Sequence, residues 1–217
     1  MCCRTIVLGE QSKVDSVKLF YYCNKKFPNF GDEINSFLWP QLFGDVFDER
    51  DEDLFIGIGT ILDQRIPALD KKIVFGAGVR SIACLPAIDE TWDIRFVRGE
   101  RSAAALGNCE SICDGAYCLR LLPWPVLKKR HKVSFVPWFL NRGLEWKLAC
   151  RKAGFHYIDP CRSVCDIIDE IRSSECIIAE AMHGAIVADC FRVPWIRIKS
   201  LQHQIEAEGV TEWKWAD

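Results

Sequence analysis

The sequence predicts an α/β fold built on parallel sheets, on three observations. Short apolar runs alternate with helical patterns from end to end of the 217 residues. Those runs are nearly continuous in hydrophobicity rather than alternating, as strands buried on both faces must be. Each run also ends in glycine or a polar turn, where a parallel strand hands over to a crossover segment.

The first series of strands falls at "VKLFYYC" (17–23), "DLFIGIG" (53–59), "KKIVFGAG" (71–78) and "DIRFVRG" (93–99). A second series follows at "KVSFVPW" (132–138), "FHYIDP" (155–160), "ECIIAE" (175–180) and "PWIRIK" (194–199). Between them, "LLPWPVLKKRHK" (121–132) carries Pro123 and Pro125, which oppose regular structure, and then five basic or His residues read as a solvated run. This segment is the expected linker and divides the chain into 1–127 and 128–217.

The helices follow from spacing and caps. In "RSVCDIIDEIRSSE", Val164, Ile167, Ile168 and Ile171 fall on one face, with Ser163 placed to cap the N-terminus. "RSAAALG" (101–107) reads as a short helix with Ser102 at its N-cap, and "EINSFLW" as one that Asp32 can cap, with Ile34, Phe37 and Leu38 inward. "GAIVADCFRV" fits a helix packed on a sheet.

Composition bounds the partners. A 49% hydrophobic content supports a real core, and the longest apolar runs stop far short of the roughly 18 residues that cross a bilayer. The N-terminal segment lacks the pattern of a secretory leader, so a cytoplasmic location is expected. A net charge of -2 gives no reason to expect nucleic acid. The 12 cysteines form no C-x-x-C pair and have no His at ligand spacing, so reduced structural thiols are expected and no metal site.

Chemistry-bearing residues cluster at strand ends. His183 falls in the strand-to-helix turn of "AEAMHGAIVADC", followed at once by Gly184, and such turns hold ligands in open α/β sheets. In "FVRGERS" a strand delivers Arg98 to its carboxyl end just before a helix, so guanidinium and helix dipole both favour an anion there. A surface salt bridge is the plainer alternative for Arg98. Arg80 and Arg101 are weaker candidates of the same kind.

The turns "GIGT" (57–60) and "GAGVRS" (76–81) can approach a phosphate or simply pack tightly, and neither completes a dinucleotide fingerprint. Asn29 and Asp32 of "NFGDEIN" serve equally well as a helix cap or as hydrogen-bonders to a polyhydroxylated substrate. His131, His156 and His203 have no comparable surroundings. Trp39, Trp124, Trp138 and Trp195 suit a core as well as a sugar-stacking surface.

Taken in order, "NFGDEIN", "GIGTIL", "VFGAGVR", "VRGERS", "CDGAYCL" and "EAMHGAIVADCFRVPWI" resemble the polysaccharide pyruvyltransferase family, closest to its succinoglycan-type branch, from about Phe20 to the final "KWAD". The resemblance implies two Rossmann-like parallel-sheet domains in a GT-B-like arrangement. It implies phosphoenolpyruvate as donor, with no separate cofactor, and transfer of its pyruvyl group to sugar hydroxyls as a ketal in surface or exopolysaccharide biosynthesis. The acceptor would be a sugar or lipid-linked oligosaccharide, with peripheral association at a membrane holding it.

On this resemblance His183 is the catalytic histidine and Arg98 the donor-binding arginine, with Ser102, Gly184, Gly76, Gly78 and Arg80 beside the donor. Asn29, Asp32 and Asp114, the last in "DGA" where the family has "DPA", fall on the acceptor side. Imidazole ordinarily titrates near neutral pH and suits either direction of proton transfer.

Three departures point to impaired activity. Ala181 stands where many members have Arg, Trp138 where many have His, and members continue beyond "TEWKWAD", which predicts a short second domain. Two alternatives are a GT-B-type glycosyltransferase using a nucleotide sugar and a catalytically inactive carbohydrate-binding relative. A dinucleotide-dependent oxidoreductase is more distant, because the glycine turns are incomplete.

Overall fold

Two four-stranded parallel sheets organise the computed structural model, which describes residues 16–23, 28–50, 52–199 and 209–217. The leader reading at the N-terminus, Cys2, Cys3 and His203 lie outside the described residues. In chain order the first half contains β1 (Lys18–Leu19), α1 (Phe30–Phe43), β2 (Leu54–Ile56), β3 (Thr60–Leu62), β4 (Lys72–Phe75), β5 (Gly78–Val79), β6 (Trp92–Phe96) and α2 (Glu100–Ala105). A 3-10 helix at Gly115–Leu121 leads to β7 (His131–Val136), α3 (Leu144–Ala153), β8 (His156–Tyr157), α4 (Val164–Arg172), β9 (Ser174–Ala179), α5 (Met182–Cys190), β10 (Trp195–Arg197) and α6 (Val210–Ala216).

The sheet orders are β1-β2-β4-β6 and β10-β9-β7-β8, all pairs parallel. Every expected run contains a strand, and the parallel α/β class stands. The sequence reading missed a two-stranded sheet of β3 and β5, which pair immediately beyond the "GIG" and "GAG" turns. Strands this short carry too little periodic signal to be separated from the runs before them.

Helix α4 forms as expected: the Ser163 side chain accepts a hydrogen bond from the Asp166 N–H at 3.2 Å, and Ile167, Ile168 and Ile171 are fully buried. Two cap assignments are corrected. Helix α1 begins at Phe30, so Asp32 lies inside its first turn rather than at its cap. Helix α2 begins at Glu100 after Gly99, so Ser102 is its third residue, and its side chain turns inward. The segment after Leu122 has no regular structure up to β7, as its prolines require, but its basic run is more than solvated. Lys129 donates to the carbonyls of Arg172 and Ser174, and Arg130 to the hydroxyl of Ser173, at the carbonyl-rich end of α4.

The sheets share a core. Helix α1 packs against α4 and α5, so Ile34, Leu38 and Trp39 join one apolar cluster with Val136, Ile167, Ile171, Ile177 and Val187. Asn35, fully buried on this inner face, accepts from the Trp39 indole N–H and the Ile58 N–H, each at 2.9 Å, and donates to the Ile58 carbonyl. One amide thereby ties α1 to the "GIG" turn. A side chain at Gly57 would have its Cβ 2.2 Å from the Trp39 Nε1, which is why that turn needs glycine there. Trp39 is therefore core, one of the two roles open to it.

Helix α6 returns to the first half of the chain, at the small β3–β5 sheet, across the boundary expected near residue 127. Its Trp213 indole donates to the Val79 carbonyl at 3.1 Å, and Glu212 pairs with Arg197, the last residue of β10, at 2.7 Å. No described helix is long and apolar enough to cross a membrane.

Candidate active site

A small pocket, partly open to solvent, lies at the carboxyl ends of strands from both sheets. Its walls come from the segments after β1 (Tyr22, Asn29, Asp32), β5 (Arg80), β7 (Trp138), β8 (Pro160) and β9 (Ala181, His183), with Thr60 of β3 and Lys214 of α6. Parallel strands present their loops and helix N-termini at that end, so ligands bind there.

His183 is the second residue of α5, not part of the turn before it, and only 8% of its surface is exposed. The cap position of α5, Ala181, has no side chain that can cap it, so the first N–H groups of the helix lack intrahelical partners at the pocket wall. The imidazole is held by α1 on one side and Asp114 on another, and its helix is fixed by close packing. A Cβ at Gly31 would lie 2.0 Å from its Nδ1, so only glycine in the first turn of α1 lets the ring lie there. A Cβ at Gly184 would come to 3.1 Å from Val136, which packs α5 tightly on the end of β7. Behind the ring, Nε2 faces Asp114 Oδ2 at 3.6 Å, and neither atom has a hydrogen-bond partner.

Asp114 is almost wholly buried, at 3% exposure. Its other oxygen accepts from the Ala116 N–H at 2.9 Å and caps the 3-10 helix. Burial raises its proton affinity, but the charges of His183 and Arg98 and the Ala116 N–H outweigh it, so the carboxyl is held below the usual carboxylate range. Asp114 is thus an ionised group beneath the imidazole, almost wholly buried but reaching the wall of a neighbouring cavity. Gly76, with φ of 91°, lets this turn approach: a Cβ there would lie 2.6 Å from the Gly115 nitrogen.

Asp32 stands in the opposite state. Desolvation pushes its carboxyl up to about 6, against the charge of His183, a 2.8 Å hydrogen bond from Asn29 and the charge of Lys214. The pocket therefore holds a carboxyl that changes protonation near neutral pH beside an imidazole. Arg80 also lines it and, among the described residues, has no ion pair. Glu180 accepts from the Trp138 N–H and the Asn141 side chain, which holds Trp138 at the rim.

The corner at Arg98 and Ser102 is an anion site, as its ingredients predict, but it is filled by the protein. The Asp217 carboxylate pairs with Arg98 at 2.9 Å and accepts from the Ser102 N–H and hydroxyl, each at 2.7 Å. The Arg98 and Asp217 side chains are 5% and 0% exposed. Arg98 also donates to the Thr60 hydroxyl at 2.8 Å, and a Cβ at Gly78 would lie 2.4 Å from its guanidinium carbon. Arg98 and His183 thus flank Asp114 rather than face each other across an open crevice. Gly76, Gly78, Gly184 and Ser102 are taken up by contacts within the protein, not exposed to a donor. Arg101 lies over the Trp213 ring at 5.6 Å.

A second cavity shares Met182 and Lys214 with the first and runs past Ile112, Tyr117, Asp189, Trp195 and Trp215. Trp195 is 39% exposed there, its ring centroid 6.1 Å from that of Trp215. Thr60, Lys214 and Asp217 were not singled out from the sequence. Lys214 and Asp217 sit in a tail whose only local signal is an i, i+3 spacing.

With parallel sheets, a buried carboxylate–imidazole pair and cations at the strand ends, the protein falls in the broad class of α/β proteins that bind ligands at the carboxyl ends of their strands. Residues 11–200 match the sequence pattern described as polysaccharide pyruvyl transferase. The chain belongs to that family. It is 39% identical over 200 residues to the succinoglycan biosynthesis protein ExoV of Rhizobium meliloti (strain 1021), covering 89% of this chain and 63% of that protein. The chain therefore spans less than two thirds of the curated relative's length. No solved structure matches it.

Proposed function

We propose that this protein transfers the pyruvyl group of phosphoenolpyruvate to hydroxyls of a saccharide in exopolysaccharide biosynthesis, forming a ketal. The observation that carries this reading is one pocket in which His183, Asp32 and Arg80 meet at the N-terminus of α5. Phosphoenolpyruvate brings a phosphate and a carboxylate, and Arg80 with the free N–H groups of α5 suits them. No separate cofactor is required, because the donor carries the group transferred.

In the reaction, C3 of the enol takes a proton and becomes a methyl group, a sugar hydroxyl adds to C2 and loses its proton, and the C2–O bond to phosphate breaks. A second hydroxyl then adds at C2, losing its proton, to close the ketal. Two proton-handling groups are needed, and His183 and Asp32 fill those roles, one giving and one accepting. Asp114 faces Nε2 of His183 from behind and orients the ring, as a buried carboxylate does for a catalytic imidazole.

The acceptor sugar approaches from the neighbouring cavity, where Trp195 offers a ring face to a pyranose. Asn29 contributes a hydrogen bond to the acceptor as well as to Asp32. We take the two sheets as Rossmann-like halves of a GT-B-like arrangement split near residue 127, working in the cytoplasm on an acceptor that is free or lipid-linked. Ala181 and Trp138 add no charge to the pocket, so Arg80 carries more of the donor's binding.

The test is incubation with isotope-labelled phosphoenolpyruvate and a panel of glycosides, following label in the sugar by mass spectrometry and phosphate in parallel. The reading expects both signals to rise together. Saturable sugar binding with neither signal would replace it with a binding role.

A further inference from the structure

Helix α6 is fixed at both ends of its short length, and the residue it holds between those fixings points at the pocket. Toward the second sheet, Glu212 pairs with Arg197 and Lys199, and the Arg197 guanidinium lies 4.6 Å over the Trp215 ring. Toward the first half of the chain, Trp213 donates to Val79 of β5, and Asp217 makes its bonds to Arg98 and Ser102. Gly99 permits this approach, since a Cβ there would lie 1.8 Å from the Asp217 carbonyl oxygen.

Lys214 lies three residues before Asp217, on the same side of the helix. It lines both the pocket of His183 and the cavity of Trp195, so it stands where the two meet. We propose that Lys214 is a donor-binding residue that contacts an anionic group of phosphoenolpyruvate, and that the buried Asp217–Arg98 pair is the anchor that positions it. This rests on the phosphoenolpyruvate reading above and adds to it a residue from a segment remote in sequence.

Placement decides how much such a contact is worth. A lysine on an unanchored segment would lose much side-chain and backbone freedom on binding an anion, offsetting the attraction. The anchor removes that backbone cost in advance. It also explains why a buried guanidinium is given to a carboxylate of the same chain at a site otherwise suited to substrate. Neutralised there, Arg98 leaves the donor to the cations of the adjoining pocket.

The experiment measures binding of phosphoenolpyruvate and of inorganic phosphate to the full chain by calorimetry, for the wild type, Lys214→Met, Lys214→Arg and Asp217→Asn. Expected are a loss of about 10-fold or more in phosphoenolpyruvate affinity for Lys214→Met, the size of one charge-assisted contact, and substantial retention in Lys214→Arg. Asp217→Asn should weaken binding as well, although Lys214 is intact, with faster hydrogen exchange across 209–217. Unchanged affinity in Lys214→Met would overturn the proposal and leave the transferase reading standing. Unchanged affinity in Asp217→Asn with a folded α6 would overturn the anchor. A wild type that binds neither probe would remove the transferase reading and this proposal together.

Discussion

At the end of β6, Arg98 and the first turn of α2 attract an anion; at the end of β9, His183 and the first turn of α5 do the same. The first corner is saturated: Asp217 supplies the carboxylate, and the side chains are sealed from water. The second is not, since α5 has no side-chain cap, Nε2 of His183 and Oδ2 of Asp114 face each other without hydrogen bonds, and Asp32 is pushed up to about 6. Equal ingredients thus become a structural bond or a reactive site according to whether the protein itself fills them. Buried polar atoms left unsatisfied are costly, and the His183–Asp114 pair adjoins the pocket of Asp32 and Arg80, whereas the similar His156–Glu170 pair at 3.6 Å does not.

The sharpest way to break this contrast is at the open corner. His183→Ala should lower transfer from phosphoenolpyruvate by ~10³-fold, the scale of a lost proton-transfer group, far more than any accompanying loss of stability explains. A variant that keeps its turnover would make the two corners equivalent.

Next in size is the closed corner. Asp217→Asn should cost roughly 3 kcal/mol of stability, because it leaves the Arg98 guanidinium buried without its counter-charge. The shift in urea midpoint measures it. A change under about 0.5 kcal/mol would mean that the corner behaves as an exposed pair does.

Asp32 sharpens the comparison through pH. Its carboxyl is raised from 3.8 to about 6, so the folded chain holds this proton more tightly than the unfolded chain. The stabilisation this provides is complete below about pH 4 and is lost as pH rises through about 6. Asp32→Asn should therefore be more stable than wild type at pH 7, by up to ~3 kcal/mol, because each tenfold gain in proton affinity on folding is worth about 1.4 kcal/mol. It should also flatten the melting temperature between pH 4 and 6 and lose activity. A wild type whose stability does not decline over that range would contradict the desolvated state of Asp32.

The smallest effect concerns shape. Gly31→Ala brings a methyl group against the imidazole and should cost about 1 to 3 kcal/mol as overpacking does. It should reduce kcat more than its stability loss explains, because the ring must turn away. Full activity would show that the ring position is not essential.

Much of the fold was readable. The eight main strands and α4 rest on local patterns, a continuous apolar run or a 3.6-residue stripe with a Ser cap, and they stand where those patterns put them. The paired β3 and β5 were not readable, because strands of two or three residues are made by their partner rather than by their own sequence. Among site residues, His183, Asp32, Asn29 and Arg80 line one pocket, as strand-end positions suggest. Asp114 lies beneath the pocket, Arg98 and Ser102 serve Asp217, and the glycines admit neighbouring groups rather than phosphate. A glycine's sequence context is the same whether the group it admits is a ligand or a side chain.

The sequence by itself determined the α/β class, the parallel strands, the family and the histidine at the end of β9, since these depend on residue order over short stretches. Which anion fills the Arg98 corner, which nitrogen of His183 faces a carboxylate, and that Lys214 reaches the pocket were decided only by the tertiary structure. The reason is distance along the chain: Asp217 meets Arg98 across 119 residues, and no local pattern records a contact that the packing of two sheets brings about.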